Sequence, residues 1–286
     1  YEYRKHPKTS EVRVISVPGS TKVSNLLKLL AKLLNSLYTP PSYVHGYIRG
    51  RSIKTNAQNH LAKQKLVKTD IKDFFDNINE DLVFDSLVNL SVDSDVAKMI
   101  CKIVIIDDKL PQGFNTSPVI SNIIFREIDE EIHSLTSENN IEYSRYADDI
   151  SLSSHNDFKI TDIKSIVESK GFELNEHKFL DLKRGYYQSV TGLTVFDDKM
   201  PRIPKRTKRR LRLEVYYISK YGIKNHAIRR LVKRKLFNNS SDKEKLISVE
   251  IASIRDRMIG WINFSKAIEP DFSKYLLEMF ESRSKK

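Results

Sequence analysis

The sequence has 286 residues, of which 40% are hydrophobic and 30% charged. That is enough apolar material for a folded core in one large lobe or two or three small ones, and no run of about 18 apolar residues predicts a membrane span. The single cysteine, Cys101, excludes an internal disulfide and lies in an apolar stretch typical of a core in a reducing compartment. We therefore expect a cytoplasmic protein without membrane contact. The N-terminus has neither an initiator Met nor an apolar signal core, so a few leading residues are expected to be missing.

The net charge of +12 is unevenly distributed along the chain. Residues 1–198 carry 25 Lys and Arg against 28 Asp and Glu, a net of −3, whereas residues 199–286 carry 24 against 9, a net of +15. A basic surplus confined to one segment favours a polyanionic partner, and nucleic acid before membrane. A well-solvated face of Lys/Arg-rich helices is the alternative interpretation.

The first part of the chain predicts a strand, a helix and another strand. Residues 10–18 alternate between apolar and polar residues and stop at Pro18-Gly19. Residues 21–37 carry apolar side chains at helical spacing, and Pro40-Pro41 ends that helix. Residues 66–71 predict a strand that closes on an acidic turn.

The middle of the chain predicts two long helices and a hairpin. Residues 79–104 have a helical pattern with Asn79 as N-cap. A second helix is predicted over 117–136, with Pro118 in its first turn. Residues 141–154 consist of two β-prone runs joined by a tight acidic turn, which indicates a β-hairpin.

The last part predicts one more helix, over 160–170 and ending at Gly171, and a strand pair across 172–197. From residue 205 onward the pattern is helical and basic. The order β-α-β-α-ββ-α-β, followed by a helical tail, suits an α+β domain joined to a separate helical lobe.

Three carboxylates fall at strand ends in this arrangement. Asp70 ends a predicted strand, and Asp148 and Asp149 form the tip of the predicted hairpin. Converging carboxylates repel one another unless cations neutralise them, so their convergence would indicate a divalent-metal site. Taken singly, an Asp-Asp turn is more often ordinary turn chemistry, and Asp70 would serve as a helix N-cap.

The chain resembles reverse transcriptases in five sequence blocks that occur in the family's order and spacing. Five ordered blocks are far more specific than the four-letter signature at residues 146–149 alone. The blocks are Arg13-Val-Ile-Ser-Val-Pro18, Asp70-Ile-Lys-Asp-Phe-Phe75, Pro111-Gln-Gly-Phe-Asn-Thr-Ser-Pro118, Tyr146-Ala-Asp-Asp149 and Gly171-Phe-Glu-Leu-Asn-Glu-His-Lys178.

Two shorter blocks narrow the resemblance to retron reverse transcriptases. Asn56-Ala-Gln-Asn-His60 is similar to the Asn-Ala-x-x-His block of that branch, and Val190-Thr191-Gly192 to its Val-Thr-Gly block. Each block is short enough to occur by chance for a local structural reason, since His60 could cap a turn and Val-Thr-Gly could end a strand. The helix that often precedes the first finger strand in retron enzymes is short or absent here.

The resemblance implies a two-metal site and one general acid. Asp70, Asp148 and Asp149 would hold two Mg²⁺ ions, for which Mn²⁺ could substitute, with the backbone carbonyl of Ile71 as a further ligand. Lys178 would lie near the leaving pyrophosphate as a candidate general acid, although an exposed lysine is the common fate of that residue type.

The same resemblance implies a nucleotide site and a template site. Arg13 would meet the triphosphate, the ring of Phe75 would exclude a 2′-hydroxyl, and Gln112 and Gly113 would let the chain approach nucleotide and template. The residues expected to contact RNA or template are Asn56, His60, Val190, Thr191, Gly192, Arg206, Arg209 and Arg210.

The expected fold is a right-hand polymerase: fingers over 1–66, a palm over 67–198 with an antiparallel sheet and helices in a ferredoxin-like arrangement, and a helical basic thumb over 199–286. Its expected reaction is RNA-directed DNA synthesis from dNTPs on a cognate non-coding RNA, giving branched RNA-linked DNA. A separate effector protein and a role in anti-phage defence follow from the resemblance alone. The alternatives are a group II intron-like, diversity-generating or other defence-associated reverse transcriptase, or a non-catalytic RNA-binding protein on a polymerase fold.

Overall fold

The computed structural model describes residues 2–5, 12–234 and 242–282. The chain divides into two compact units, Tyr1–Thr191 and Gly192–Lys286. The division into fingers over 1–66, palm over 67–198 and thumb over 199–286 stays a prediction.

The first unit alternates helices with short strands. Its strands are β1 (Glu2–Lys5), β2 (Val12–Ile15), β3 (Lys65–Asp70), β4 (Glu142–Tyr146), β5 (Asp149–Ser154), β6 (Leu180–Lys183) and β7 (Ser189–Val190). Its helices are α1 (Thr21–Leu37), α2 (Ile53–Gln58), α3 (Glu80–Asn89), α4 (Ser94–Val104), α5 (Ser117–Ile124), α6 (Arg126–Glu138) and α7 (Thr161–Ser169), with a 3₁₀ turn at Glu176–Lys178.

Four antiparallel strands form the central sheet in the order β4-β5-β3-β6. The connections β3 to β4 and β5 to β6 contain helices, while β4 and β5 are joined directly as a hairpin. This connectivity and strand order are those of the ferredoxin-like arrangement, so the predicted α+β palm is confirmed. One face of the sheet, carrying Val67 and Leu152, packs into the main hydrophobic core. The opposite face of β3 carries Lys68 and Asp70, because side chains alternate along a strand.

Two of the predicted helices are each broken into two. The first break lies between α3 and α4, where Ser91 takes a left-handed φ of 62° and Asp93 caps the new helix through Asp95 N. Asn79 caps α3 as predicted, accepting a hydrogen bond from Leu82 N at 3.0 Å. The second break comes at Phe125, fully buried between α5 and α6. Periodicity alone missed both breaks because the apolar pattern continues across them.

The second unit consists of a short strand and four described helices around its own core. They are β8 (Leu193–Thr194), α8 (Lys205–Tyr221), α9 (Ile223–Lys233), α10 (Lys243–Ile268) and α11 (Pro270–Glu281). The buried side chains include Leu211, Val215, Leu231, Ile254 and Leu276. No helix in the described ranges is long and apolar enough to cross a membrane.

Acidic side chains hold part of this unit's positive charge in place. Glu269 is buried and accepts hydrogen bonds from Ile203 N at 2.7 Å and from Lys208 Nζ at 2.9 Å. Glu250, also buried, accepts from Arg230 Nε at 2.6 Å and pairs with Arg234 at 3.2 Å. These basic side chains therefore stabilise the fold of the second unit, and its surplus positive charge lies on other residues.

Candidate active site

Asp70 and Asp149 lie directly opposite one another in the central sheet. The register pairs Asp70 of β3 with Asp149 of β5, and directly opposed residues of an antiparallel pair share one face. Asp70 is buried, at 3% exposure, whereas Asp149 is partly exposed to solvent. The sheet thus brings together two of the three acids that the sequence predicted to converge.

The third acid, Asp148, lies in the two-residue turn between β4 and β5. Ala147 precedes it with a left-handed φ of 59°, which lets the chain reverse within two residues. The backbone carbonyl of Asp148 accepts a hydrogen bond from Ile71 N at 3.0 Å. The turn is thereby tied to the residue that follows Asp70, so all three acids are fixed at the same end of the sheet.

Lys178 forms an ion pair with Asp70. Its ammonium donates a hydrogen bond to Oδ2 of the Asp70 carboxylate. This hydrogen bond is the largest cause of the raised pKa of Lys178. The pKa of Asp149 is raised by desolvation first and then by the negative charge of Asp148. The end of the sheet is therefore a place of concentrated negative charge that attracts cations.

A divalent metal fits the chemistry of these groups. Oδ1 of Asp70 is buried and has no hydrogen-bond partner among the described residues, and a buried carboxylate oxygen calls for a proton donor or a cation. Within those residues, no three His, Cys, Asp or Glu side chains are gathered as a ready-made metal site. The metal-binding set of Asp70, Asp148, Asp149 and the Ile71 carbonyl therefore stays a proposal, supported by the Asp70 oxygen that has no partner among the described residues and by the raised pKa of Asp149.

Phe75 is half-buried beside the site. Its ring centroid lies 5.4 Å from that of Phe74 and 6.5 Å from that of Tyr47. Phe74 is buried among Phe125 and Phe172, whose rings pack edge-on or tilted against it. Phe74 is thus a core residue, and Phe75 is the ring with an accessible side.

Gln112 and Gly113 contact the segment that follows β2. The Gln112 carbonyl accepts a hydrogen bond from Ser16 N at 2.7 Å. Gly113 has a φ of 115°, and a Cβ there would lie 2.6 Å from the carbonyl oxygen of Ser16. Glycine is therefore needed for close approach of this backbone, a reason that the sequence did not suggest, and the nucleotide contact stays a prediction. Arg13 lies in β2 with its side chain outside the described part.

His60 is fully buried on the polar face of the sheet. Its Nδ1 lies 2.7 Å from the hydroxyl of Ser153 and its Nε2 lies 2.7 Å from that of Ser144, so it joins the segment that follows α2 to strands β4 and β5. Burial lowers the pKa of His60 to about 3, so the ring is neutral at pH 7. This structural role does not expose the ring to RNA, and direct RNA contact by His60 stays a prediction.

The two short blocks of the retron resemblance meet at α2. The hydroxyl of Thr191 donates to the carbonyl of Ile53, the first residue of α2, at 3.0 Å. Val190 is buried, and Gly192 has a φ of 83° that favours glycine. Asn56 within α2 is 1% exposed, and its side-chain amide has no hydrogen-bond partner among the described residues. Segments 138 residues apart thus support one another.

Arg206, Arg209 and Arg210 lie exposed on α8 in the second unit. The guanidinium of Arg210 lies 5.6 Å from the ring centroid of Trp261. These arginines are therefore placed at the surface, in contrast to Lys208, which is bound to Glu269.

No sequence pattern pointed to the residues that surround the Ala147–Asp148 turn. A Cβ on Gly46 would lie 2.1 Å from Ala147 N, so only glycine fits against the turn. Arg145 and Asp129 form an ion pair in which both side chains are 0% exposed. An arginine within a predicted strand and next to the acidic turn was the available signal, because arginine is seldom fully buried without a partner.

Comparison with known proteins agrees with this geometry. Residues 3–188, well over half of the chain, match the family model described as Reverse transcriptase (RNA-dependent DNA polymerase). The chain belongs to the reverse transcriptase family. The right-hand polymerase fold expected from its sequence blocks is thereby confirmed at the level of the family.

Several relatives are retron reverse transcriptases. The retron Ec73 reverse transcriptase of Escherichia coli is 31% identical over 239 residues, covering 76% of this chain and 75% of the relative. The retron Ec83 reverse transcriptase of Escherichia coli is 28% identical, covering 96% and 85%. The retron Mx65 reverse transcriptase of Myxococcus xanthus is 29% identical over 64% of this chain, which spans about half (48%) of that relative's length. The predicted membership of the retron branch is confirmed.

Proposed function

We propose that this reverse transcriptase synthesises DNA on an RNA template. The observation that carries the proposal is the pairing of Asp70 with Asp149 at one end of the sheet, with Asp148 in the adjoining turn. Family membership supports the same reaction. The alternative of a non-catalytic RNA-binding protein is disfavoured, because Oδ1 of Asp70 is buried without a hydrogen-bond partner in the part of the chain that the structure describes, and a bound cation would satisfy it.

In this proposal the acids hold two divalent cations, Mg²⁺ or Mn²⁺, through Asp70, Asp148, Asp149 and the carbonyl of Ile71. When bound, these ions activate the attacking hydroxyl and offset charge on the leaving oxygen. Lys178, on a flexible side chain that already lies at Asp70, would supply a proton or a positive charge to the departing pyrophosphate.

Nucleotide and template would be held by the surrounding residues. Phe75 would lie under the sugar of a dNTP, and Gln112 and Gly113 would border the nucleotide and template. Arg13 would contact the triphosphate. The exposed arginines of α8 would bind backbone phosphates, since phosphate contacts position a nucleic acid without reading its sequence.

The substrate is proposed to be a cognate non-coding RNA that is both template and primer. Priming from a 2′-hydroxyl of an internal guanosine would leave branched RNA-linked DNA, and a separate effector protein would act with that product in anti-phage defence. Similarity to several retron reverse transcriptases supports this over an intron-like or diversity-generating enzyme.

Sequencing the nucleic acid that copurifies with the protein tests the choice of substrate. The expected result is one enriched structured RNA with DNA covalently joined to it. Purified protein should also extend DNA on that RNA when supplied with dNTPs and Mg²⁺. Random cellular RNA, together with no synthesis on any template, would contradict the proposed function.

The Phe75→Val substitution is expected to admit ribonucleotides. The ring of Phe75 has an accessible side, and a smaller side chain there would leave room for a 2′-hydroxyl. The ratio of rNTP to dNTP incorporation should rise at least about tenfold, which corresponds to a decrease in discrimination of roughly 1.4 kcal/mol. Single-nucleotide incorporation with matched rNTP and dNTP measures it.

The neighbouring Phe74 provides the matched control. Phe74→Leu removes a ring of the same kind from the core, so it should lower stability and leave the sugar preference unchanged. An unchanged ratio in Phe75→Val, or an equal rise in both variants, would show that Phe75 only packs the core.

Neutralising Arg206, Arg209 and Arg210 to Gln is expected to weaken binding of a cognate RNA more than of a scrambled RNA of equal length. Structured RNA is recognised through shape and 2′-hydroxyl contacts as well as charge. For both RNAs the salt dependence should flatten by up to roughly one unit of slope for each phosphate that the variant no longer neutralises. Titrations of both RNAs at two salt concentrations measure the two effects separately.

A triple variant of Lys224, Lys233 and Lys266 to Gln is the control, because it removes the same charge from exposed positions of the same unit. Equal reductions in affinity for cognate and scrambled RNA in the arginine variant would remove the support for cognate recognition by α8. The polymerase assignment would be unaffected.

A further inference from the structure

A fully buried arginine lies two residues before the turn that carries Asp148. Arg145 of β4 is 0% exposed and forms a two-pronged ion pair with Asp129 of α6, with Nε at 2.8 Å from Oδ1 and Nη2 at 2.6 Å from Oδ2. The hydroxyl of Tyr143 donates to the same carboxylate. The ring of Phe125 lies 4.8 Å from the guanidinium. Buried arginine with this geometry is held in one orientation.

The third nitrogen of the guanidinium reaches the turn itself. Nη1 of Arg145 donates to the carbonyl of Ala147 at 2.9 Å and to Oδ1 of Asn122 at 3.1 Å. Ala147 is the residue with left-handed backbone next to Asp148. The ion pair therefore supports the strained residue of the turn through a direct hydrogen bond.

Asn122 and Gly46 close the turn from the other side. Nδ2 of Asn122 donates to the carbonyl of Gly46 at 3.0 Å. Gly46 packs so closely against the turn that a Cβ added at this position would overlap Ala147 N. The backbone of the same segment is tied to β4, with His45 N donating to the Arg145 carbonyl at 2.8 Å. Ala147 is thus clamped between Gly46 on one side and Arg145 on the other.

We propose that Arg145 and Asn122 are positioning residues that fix the Ala147–Asp148 turn and so hold the Asp148 carboxylate where it binds a divalent cation. The inference rests on the proposed function for its catalytic consequence. Neither residue touches substrate in this proposal, because both are buried beneath the turn. A displacement of about 1 Å at the reacting groups can cost about a hundredfold in rate.

Three variants separate this role from simple packing. Arg145→Lys keeps a positive charge opposite Asp129 and loses the two-pronged pair together with the bond to Ala147. Asn122→Ala leaves the Arg145–Asp129 pair intact and loses both the bond to Gly46 and the side-chain acceptor of Arg145 Nη1. Tyr143→Phe is the matched control, because it removes a hydrogen bond from the same buried carboxylate without touching the turn.

The readouts are kcat and KM for dNTP, Mn²⁺ binding to the substrate-free protein followed by electron paramagnetic resonance, and thermal unfolding. We expect kcat to fall about a hundredfold in Arg145→Lys and Asn122→Ala, with KM for dNTP unchanged and Mn²⁺ affinity reduced about tenfold. Tyr143→Phe should lower the unfolding temperature and keep both kcat and Mn²⁺ affinity.

Wild-type protein that makes no DNA would overturn the proposed function, while Mn²⁺ binding would still test the positioning role. An active wild type whose Asn122→Ala and Arg145→Lys variants match Tyr143→Phe in kcat and Mn²⁺ affinity would overturn this inference alone. If Arg145→Lys fails to fold, Asn122→Ala decides the question, since the buried ion pair remains in that variant.

Discussion

The Asp148→Asn variant is expected to lose RNA-templated DNA synthesis by at least about a thousandfold while keeping its fold and its RNA binding. The substitution preserves the shape of the side chain and removes one negative charge from the metal-binding set. Charge stabilisation by bound metal contributes several kcal/mol to a transition state, and each 1.4 kcal/mol corresponds to about tenfold in rate. Primer extension measures the loss, and Asp70→Asn should behave alike.

The Asp148→Asn substitution is not expected to lower the free energy of unfolding. The negative charge of Asp148 contributes to the raised pKa of Asp149, so removing it relieves repulsion between neighbouring acids. Asp76→Asn is the matched control, because Asp76 is exposed and lies just beyond the block Asp70–Phe75. Primer extension by Asp148→Asn at the rate of Asp76→Asn would exclude the proposed site.

The parts of the fold that follow from local patterns were predictable from the sequence. Helix α1 spans Thr21–Leu37, the predicted range, because its apolar spacing is bounded by Pro40-Pro41. The β4–β5 hairpin was predictable because two β-prone runs are joined by only two residues. The breaks at Ser91 and Phe125 were not, since each depends on how the helices pack and leaves the apolar periodicity unchanged.

The candidate site shows the same division. The positions of Asp70, Asp148 and Asp149 at one end of the sheet were predictable because strand ends and a tight turn determine them, while their role as metal ligands stays a prediction. The pairing of Asp70 with Lys178 and the burial of His60 between two serines depend on residues about 100 positions apart, which no local pattern contains. Gly46 likewise carries no signal of its contact with Ala147, because the close approach arises only when the segments pack.

The buried pair of Arg145 and Asp129 has a neighbour that differs from it mainly in exposure. Glu130, the next residue of α6, pairs with Arg126 at 2.8 Å, and both of these side chains are nearly half exposed. Both pairs join an acid of the same helix to an arginine. They therefore offer a comparison in which burial is the principal variable.

Asp129→Ala is expected to lower the free energy of unfolding by about 3–5 kcal/mol, because Arg145 would be left buried without a counter-charge and the Tyr143 hydroxyl would lose its acceptor. Glu130→Ala should cost only about 0.3–0.5 kcal/mol, since solvent screens an exposed pair. Urea unfolding of both variants and the wild type measures the difference. Equal, small decreases in the free energy of unfolding of the two variants would mean that water or another group replaces the Asp129 carboxylate. Arg145 would then not need Asp129 to support the turn.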